Sequence, residues 1–364
     1  FCIHHAQAQN RYPIITTVFQ KFIYETLRLY CKVALFFYFR KWQVRKLAPI
    51  PNGPVIFVAN HQNAFLDAVL VICSSHRNPW ALARGNVFKK KWAHALLTLI
   101  QMMPVYRFRD GFDTLRKNEA ILDQCANLLK QGKSVLIFGE GNHNEHYNLR
   151  PLQKGFVRMA QVALQQNTAL QIVPVGVHYE AHRLFRSRVL VSFGEAIPLT
   201  KDFFDENPIQ QTEALLKEVA AKITPLILSI PENNYETTWQ RLQANRNYYA
   251  DLVTQLEHEQ QLVDSLPADP QPQQPTHNNV LQKILNFYYT INHLPARTVV
   301  RSITGMPKLD PQFIGSIKFA AGIVVVPAFY VVQISLVALL SGSVWITLGY
   351  AASLPVSVAL FKPH

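Results

Sequence analysis

Two stretches near the carboxyl end contain no charged residue, Phe319 to Leu340 and Val344 to Phe361, with only Ser341, Gly342 and Ser343 between them. The first holds 22 residues, which as a helix rising about 1.5 Å per residue reaches about 33 Å and covers a hydrocarbon core of about 30 Å. Two transmembrane helices joined by a tight turn are therefore expected within 312–364. Lys318 and Lys362 flank the pair on one side, which the bias of basic residues toward the cytoplasm assigns to that compartment together with everything upstream of Lys318. The other reading is a buried helical hairpin of a soluble protein, since the second segment is short and contains Pro355.

Charge points the same way. Thirty-six Lys and Arg against 23 Asp and Glu give a formal charge of +13, which favours anionic partners. The basic residues are dispersed and are not interleaved with aromatics as a nucleic-acid stacking platform requires, so no nucleic-acid partner is expected. A membrane lipid surface accounts for both the charge and the apolar ends. The cysteines Cys2, Cys31, Cys73 and Cys125 follow no paired or metal-type spacing, so a reducing compartment without disulfides is expected. The first ten residues are polar and the next apolar run lacks a small-residue cleavage site, so no cleavable signal is expected.

At the other end, residues 11–47 read as a membrane-interfacial helix. The run from Phe19 to Leu47 is apolar and aromatic on most faces but broken by Lys21, Glu25, Arg28 and Lys32, and it ends in a basic stretch, Arg40 to Arg45. A core helix of a soluble domain fits the same pattern. From 48 to 231 short aliphatic runs alternate with amphipathic ones. Strands are expected at VIFVA (55–59), WALAR (80–84), PVYRF (104–108), SVLIFG (134–139), LQIVPVGV (170–177) and RVLVSFG (188–194), with helices near 63–73, 88–100, 114–130 and 152–165. Such alternation predicts an α/β domain with a mixed, largely parallel sheet and flanking helices. Residues 232–311 read as a helical insert with a Pro- and Gln-rich linker at 264–279.

Within the α/β region four short pieces carry polar residues where packing alone asks for none. In ANHQNAFLDAV the strand ends at Ala59, Asn63 suits a helix N-cap, and His61 falls in the turn between them. A contact with Asp67 requires His61 to lie outside the helix and fold back over its first turn; a carboxylate bonded to one imidazole nitrogen fixes the tautomer and raises the basicity of the other. On spacing alone, a structural histidine accounts for this pair as well. In QMMPVYRFRDG, Arg107 ends a short strand and is available as a phosphate clamp, or else it and Arg109 are solvated surface residues. In SVLIFGEGNHNEHYNLRPLQKGF, Gly139 and Gly141 flank Glu140 after a strand, and Lys154 with Gly155 opens a helix whose first amides favour an anion. The fourth, LQIVPVGVHYE, is mostly structural. QGKS at 131–134 is not a phosphate loop, because position 127 is Asn and the motif precedes a strand instead of following one.

In this order the four pieces, read as NHQNAFLD, PVYRFRDG, IFGEGNH and IVPVGV, resemble the sequence blocks of the glycerol-3-phosphate / 1-acylglycerol-3-phosphate O-acyltransferase family (phospholipid/glycerol acyltransferase), over residues 50–200. Five residues separate His61 from Asp67 where four are commonest, which resembles a fungal-type branch of glycerol 3-phosphate acyltransferases. Gly139 replaces the usual Pro, and Asn142 with His143 replaces a frequent Thr and Arg, so Arg107 and Lys154 would carry more of any phosphate contact.

The resemblance implies a membrane-bound O-acyltransferase of phospholipid biosynthesis. It would move a fatty acyl group from acyl-CoA or acyl carrier protein to lysophosphatidate, with glycerol 3-phosphate or dihydroxyacetone phosphate as the alternative acceptor. His61 would be the general base and Asp67 its orienting group, while Arg107, Glu140, Gly141 and Lys154 would hold the glycerol phosphate. No cofactor and no metal is called for. No GxSxG elbow exists and the cysteines have no nearby base, which argues against a covalent acyl-enzyme. Two other classes are a metal-dependent hydrolase using His61, His143, His146, His178 and His182, and a catalytically silent membrane scaffold that keeps the fold.

Overall fold

The computed structural model describes residues 18–106, 114–166, 168–265, 280–307 and 309–362. Arg107 and Arg109 lie outside the described residues. In chain order the α/β part contains α1 (Val18–Tyr38), β1 (Lys41–Lys46), β2 (Val55–Ala59), α2 (Ala64–Ser74), β3 (Trp80–Arg84) and α3 (Lys91–Leu99). It continues with β4 (Met102–Val105), α4 (Thr114–Lys130), β5 (Ser134–Phe138), α5 (Gly155–Gln165), β6 (Leu170–Tyr179), β7 (Arg188–Phe193), β8 (Ile197–Leu199) and α6 (Pro208–Ile223). Then come α7 (Tyr235–Asn245), α8 (Leu252–Asp264), α9 (Val280–Thr304), α10 (Ile314–Ser341) and α11 (Val344–Leu360).

Seven strands are ordered β1-β7-β6-β2-β5-β3-β4, and β8 pairs with β6. All neighbours are parallel except β6 with β7 and β6 with β8. The mixed, largely parallel sheet expected from the alternation is what forms. β2 lies at its centre and is buried along its whole length, as an unbroken aliphatic run covered on both faces should be. Side chains alternate across it: Ile56 and Val58 join a core with residues of α4, α5 and α6, whereas Val55, Phe57 and Ala59 join a second core with residues of α1 and α2. Pro174, inside β6, falls where that strand exchanges β8 for β7 as its antiparallel neighbour, so no ladder bond is lost there.

Three expectations are revised. The N-terminal helix does not run to 47: α1 ends at Tyr38, and 41–46 is an edge strand paired in parallel with β7, extended by Arg40 N–H to Ser187 O (2.9 Å) and Leu47 N–H to Phe193 O (2.9 Å). Lys41, Arg45 and Lys46 suit a solvated helix end equally well by composition, and on an edge strand the same charges discourage pairing with another chain. β4 begins two residues earlier than expected and ends at Val105. Residues 232–311 also divide. α7 and α8 close a third small core with Tyr147, Leu190, Leu228 and Ile230, whereas α9 packs on the two C-terminal helices through bonds such as Tyr350 OH to Asn292 Oδ1 (2.8 Å) and Gln333 Nε2 to Asn292 O (2.7 Å).

Among the described residues one helix, which continues from a short turn at 311 through α10, is long and apolar enough to cross a membrane. α11 has 17 residues, about 26 Å of helix and the lower limit for a span. Gly342 takes the left-handed conformation (φ +61°) that caps α10 and reverses the chain.

Candidate functional site

Because β2, β5, β3 and β4 run parallel, their carboxyl ends lie along one edge of the sheet, and the polar pieces of the sequence meet there. Asn60 stitches the edge together. Its side chain accepts from Val177 N–H (2.7 Å) and donates to Val177 O (3.1 Å). His61 follows in the turn, outside the helix, and its Nδ1 lies 2.9 Å from Asp67 Oδ2. The extra residue of the turn is absorbed by the backbone, with Ala64 in the left-handed region at φ +43°. Asn63 occupies the N-cap position but makes no capping bond; its amide donates to His182 O (2.9 Å) instead.

Asp67 is fully buried and every donor around it is aimed at its carboxylate. Oδ2 accepts from Gln62 N–H (2.9 Å), Asn63 N–H (2.7 Å) and the imidazole, and Oδ1 accepts from Tyr179 OH (2.6 Å). Burial and the adjacent Asp67 charge hold the Tyr179 phenol well above its ordinary range, so it stays a donor. Since Asp67 can only accept, the proton sits on His61 Nδ1 and Nε2 is left with its lone pair. Nε2 makes no hydrogen bond among the described residues. The ring is clamped by Phe138, stacked at 3.9 Å, and meets His143 edge-on at 5.5 Å. Burial and the neighbouring His61 push His143 down to about 4, so at neutral pH it adds no competing cation.

The third piece of sequence supports this turn more than it faces a ligand. Glu140 was expected among the groups that hold a phosphate, but Oε1 accepts from His61 N–H (2.8 Å) and Oε2 from Arg150 Nε (3.1 Å). It is buried, and burial raises its pKa against the opposing bonds from His61 and Arg150. A buried carboxylate at that point repels an anion, so its place is that of a positioning group. Gly139 stands where the family commonly has Pro, and its N–H donates to Ala59 O (3.0 Å), a bond that Pro cannot make. Gly141 adopts φ +70°, which turns the chain away from the strand. Lys154 is exposed at the start of α5 and pairs with no carboxylate among the described residues.

Sequence reasoning missed four groups here. Tyr179 and Phe138 sit in strands that read as pure core. Arg150 lies seven residues beyond the position where the family frequently has Arg, and it reaches back to Glu140 and to Asn142 O. Arg84, the exposed last residue of β3, continues a register that pairs Ala81 with Leu136, so it is level with Gly139 one strand from the site. Its exposure and strand-end position are the signal that could have found it.

A fifth missed contact comes from α10. Ser316 Oγ donates to Asn63 O (2.5 Å) and accepts from Leu66 N–H (3.2 Å), while a Cβ on Gly315 would lie 2.4 Å from His182 O. The long apolar helix therefore begins directly on the turn that carries His61 and Asp67. A small, partly open cavity of about 10 Å³ adjoins Asn60, His61 and His178, far below the about 300–1,000 Å³ of ordinary ligand clefts. Among the described residues no group of three or more His, Cys, Asp or Glu is placed to hold a metal. The histidines once weighed for that role have other neighbours: Phe313 for His143, Tyr235 for His146, Glu259 for His178 and Glu145 for His182.

A histidine held by a buried aspartate at the carboxyl edge of an α/β sheet has the geometry that a general base requires. Residues 41–178 match the family model described as Acyltransferase. Glycerol-3-phosphate O-acyltransferase 2 of Saccharomyces cerevisiae is 28% identical over 158 residues, 42% of this chain and 20% of that protein. The chloroplastic 1-acyl-sn-glycerol-3-phosphate acyltransferase BAT2 of Brassica napus is 24% identical over 160 residues, 43% of this chain and 42% of that protein. The alignments thus span about a fifth and about two fifths of these relatives' lengths. The crystal structure of the 1-acyl-sn-glycerophosphate acyltransferase PlsC from Thermotoga maritima superimposes with a TM-score of 0.41 at 17% identity, covering 56% of this chain and 80% of that one.

Proposed function

We propose that this chain is a membrane-bound O-acyltransferase that moves a fatty acyl group from a thioester, acyl-CoA or acyl carrier protein, to the free hydroxyl of lysophosphatidate. The observation that carries this is His61 with Nδ1 engaged by Asp67 and Nε2 without a hydrogen bond among the described residues. Nε2 takes the proton of the acceptor hydroxyl as its oxygen bonds to the thioester carbon. The C–S bond then breaks and the departing thiolate takes the proton back from the imidazolium. A covalent acyl-enzyme on a thiol is disfavoured, because burial pushes Cys73 and Cys125 up to about 12. The exposed cations Arg84 and Lys154 on the same edge suit the acceptor's phosphate, and the resemblance in sequence adds Arg107 to them.

Lysophosphatidate is favoured because the helix that is apolar enough to enter a bilayer starts on the catalytic turn, which brings an acceptor with a hydrocarbon tail to His61. Glycerol 3-phosphate is the second reading, favoured by the five-residue spacing between His61 and Asp67. Lys318 and Lys362, which flank the apolar segments, support a cytoplasmic position for the α/β domain. The test is transfer from labelled acyl-CoA and acyl carrier protein in reconstituted vesicles, with each acceptor offered alone. Preferential use of lysophosphatidate, lost in His61→Ala, is the expected result; use of neither acceptor overturns the proposal.

Ser316 gives a further expected result. Ser316→Ala removes a bond worth about 1–1.5 kcal/mol, so kcat should fall about tenfold with KM little changed. Ser316→Cys, which keeps a weak donor at the same atom, should recover part of it; equal kcat in wild type and Ser316→Ala would show that the α10 contact does not position the base.

A further inference from the structure

α9 is inside out for a helix in water. Its exposed side carries Ile284, Phe287, Ile291 and Leu294, which remain 59%, 66%, 54% and 55% exposed; spacings of three and four put them in one stripe. Its protected side is polar: Asn286, Tyr289 and His293 are buried. There Asn286 Nδ2 donates to Lys362 O (2.9 Å), Tyr350 OH to Asn292 Oδ1 (2.8 Å) and Gln333 Nε2 to Asn292 O (2.7 Å). Tyr288 OH lies 2.5 Å from Ser353 Oγ, and His293 Nε2 lies 2.8 Å from Tyr330 OH. In water this arrangement leaves four large apolar side chains solvated. In hydrocarbon it is the favoured one, because polar groups with no water available must find partners between helices.

The charges fit the same solvent. No charged residue occurs from 284 to 296, and Lys283, Arg297 and Arg301 stand at the two ends. An uncharged length of 13 residues covers about 20 Å. It is bounded by cations of the kind that settle at anionic headgroups. The stripe also sits beside the exposed, charge-free surface of α10, where Val324, Val331, Val332 and Leu336 are exposed.

We infer that the outer stripe of α9 is a lipid-binding surface, in contact with the acyl chains of the bilayer that α10 enters, so that 280–362 forms one three-helix membrane unit. This rests on the membrane reading of α10 given above and extends it to a helix of 25 residues that is less apolar than α10. A second copy of the chain would cover only part of an apolar surface that continues onto α10, whereas a leaflet covers all of it.

The test uses the full chain in sealed vesicles of phosphatidylcholine and phosphatidylglycerol. Single substitutions Phe287→Cys and Ile291→Cys are exposed to a charged, membrane-impermeant maleimide, and labelling is read peptide by peptide so that native cysteines do not interfere. Glu213→Cys on α6 is the aqueous reference and Leu336→Cys on α10 the lipid reference. The expected result is loss of labelling at 287 and 291 in vesicles, as at Leu336→Cys, and its return once the protein is unfolded. Labelling at the rate of Glu213→Cys while Leu336→Cys stays protected overturns the inference about α9. Labelling of Leu336→Cys as well shows instead that the membrane reading itself is wrong.

Discussion

Asp67→Asn is expected to lower kcat by about 100- to 10,000-fold while leaving the domain folded. The side chain is isosteric, and the surrounding donors dictate how it sits. Gln62 N–H, Asn63 N–H and the imidazole all converge on one oxygen, so the new carbonyl must face them and the new NH2 must face Tyr179. Tyr179 can accommodate that by rotating its hydroxyl to accept. The imidazole tautomer is thus preserved, and what is lost is the negative charge that stabilises the imidazolium formed as the acceptor hydroxyl is deprotonated. KM should change little, because Asp67 is fully buried and touches no substrate. Steady-state kinetics in vesicles, with a thermal scan alongside, separates this from unfolding. A variant with wild-type kcat would remove His61 from the role of base. A variant that fails to fold would give no soluble or reconstitutable protein, and Asp67→Glu, which keeps the charge, then carries the comparison.

The sheet was legible because parallel central strands are short aliphatic runs bounded by polar turns; β2, β3, β5 and β7 match their expected limits to within a residue. β1 was not, because KWQVRK is too polar for a buried strand and only its pairing with β7 selects the extended form. His61 and Asp67 were legible for the opposite reason, as polar residues set between runs that should be buried. Their supports were not. Tyr179 lies 112 residues from Asp67 and Ser316 lies 253 residues from Asn63, and neither residue type is unusual in its own stretch of sequence. Glu140 illustrates a different failure: the resemblance placed it near a phosphate, yet the direction of its carboxylate depends on His61 N–H and Arg150, which no local pattern reveals. α9 was read only as part of a helical insert, because its apolar stripe has the period of an ordinary amphipathic helix, and the period does not tell which side is covered.

The second large effect concerns the seam between the α/β domain and α8. Glu259 is fully buried, with Oε1 accepting from Arg246 Nε (2.5 Å) and from Gln255 Nε2 (2.5 Å), and with His178 Nε2 3.6 Å from Oε2. The last distance is an electrostatic contact, too long for a hydrogen bond. His178 stands at the end of β6 beside Val177, which Asn60 binds, so the seam backs directly onto the catalytic edge. Burial alone would raise the Glu259 pKa, but the attraction of His178 and Arg246 outweighs it and holds the carboxyl down to about 2. A carboxyl with a lowered folded-state pKa stabilises the fold above its unfolded value near 4.5, and that contribution is lost as pH falls through about 2. Glu259→Ala leaves the buried Arg246 guanidinium without its counter-charge and should cost about 3–5 kcal/mol. Replacing both partners, as Glu259→Leu with Arg246→Met, removes the two charges together and should restore most of that loss. Thermal unfolding in detergent at neutral pH checks both. If the single variant is as stable as wild type, the pair does not hold α8 to the domain. If the double variant is no better than the single, the cost lies in packing and not in an uncompensated charge.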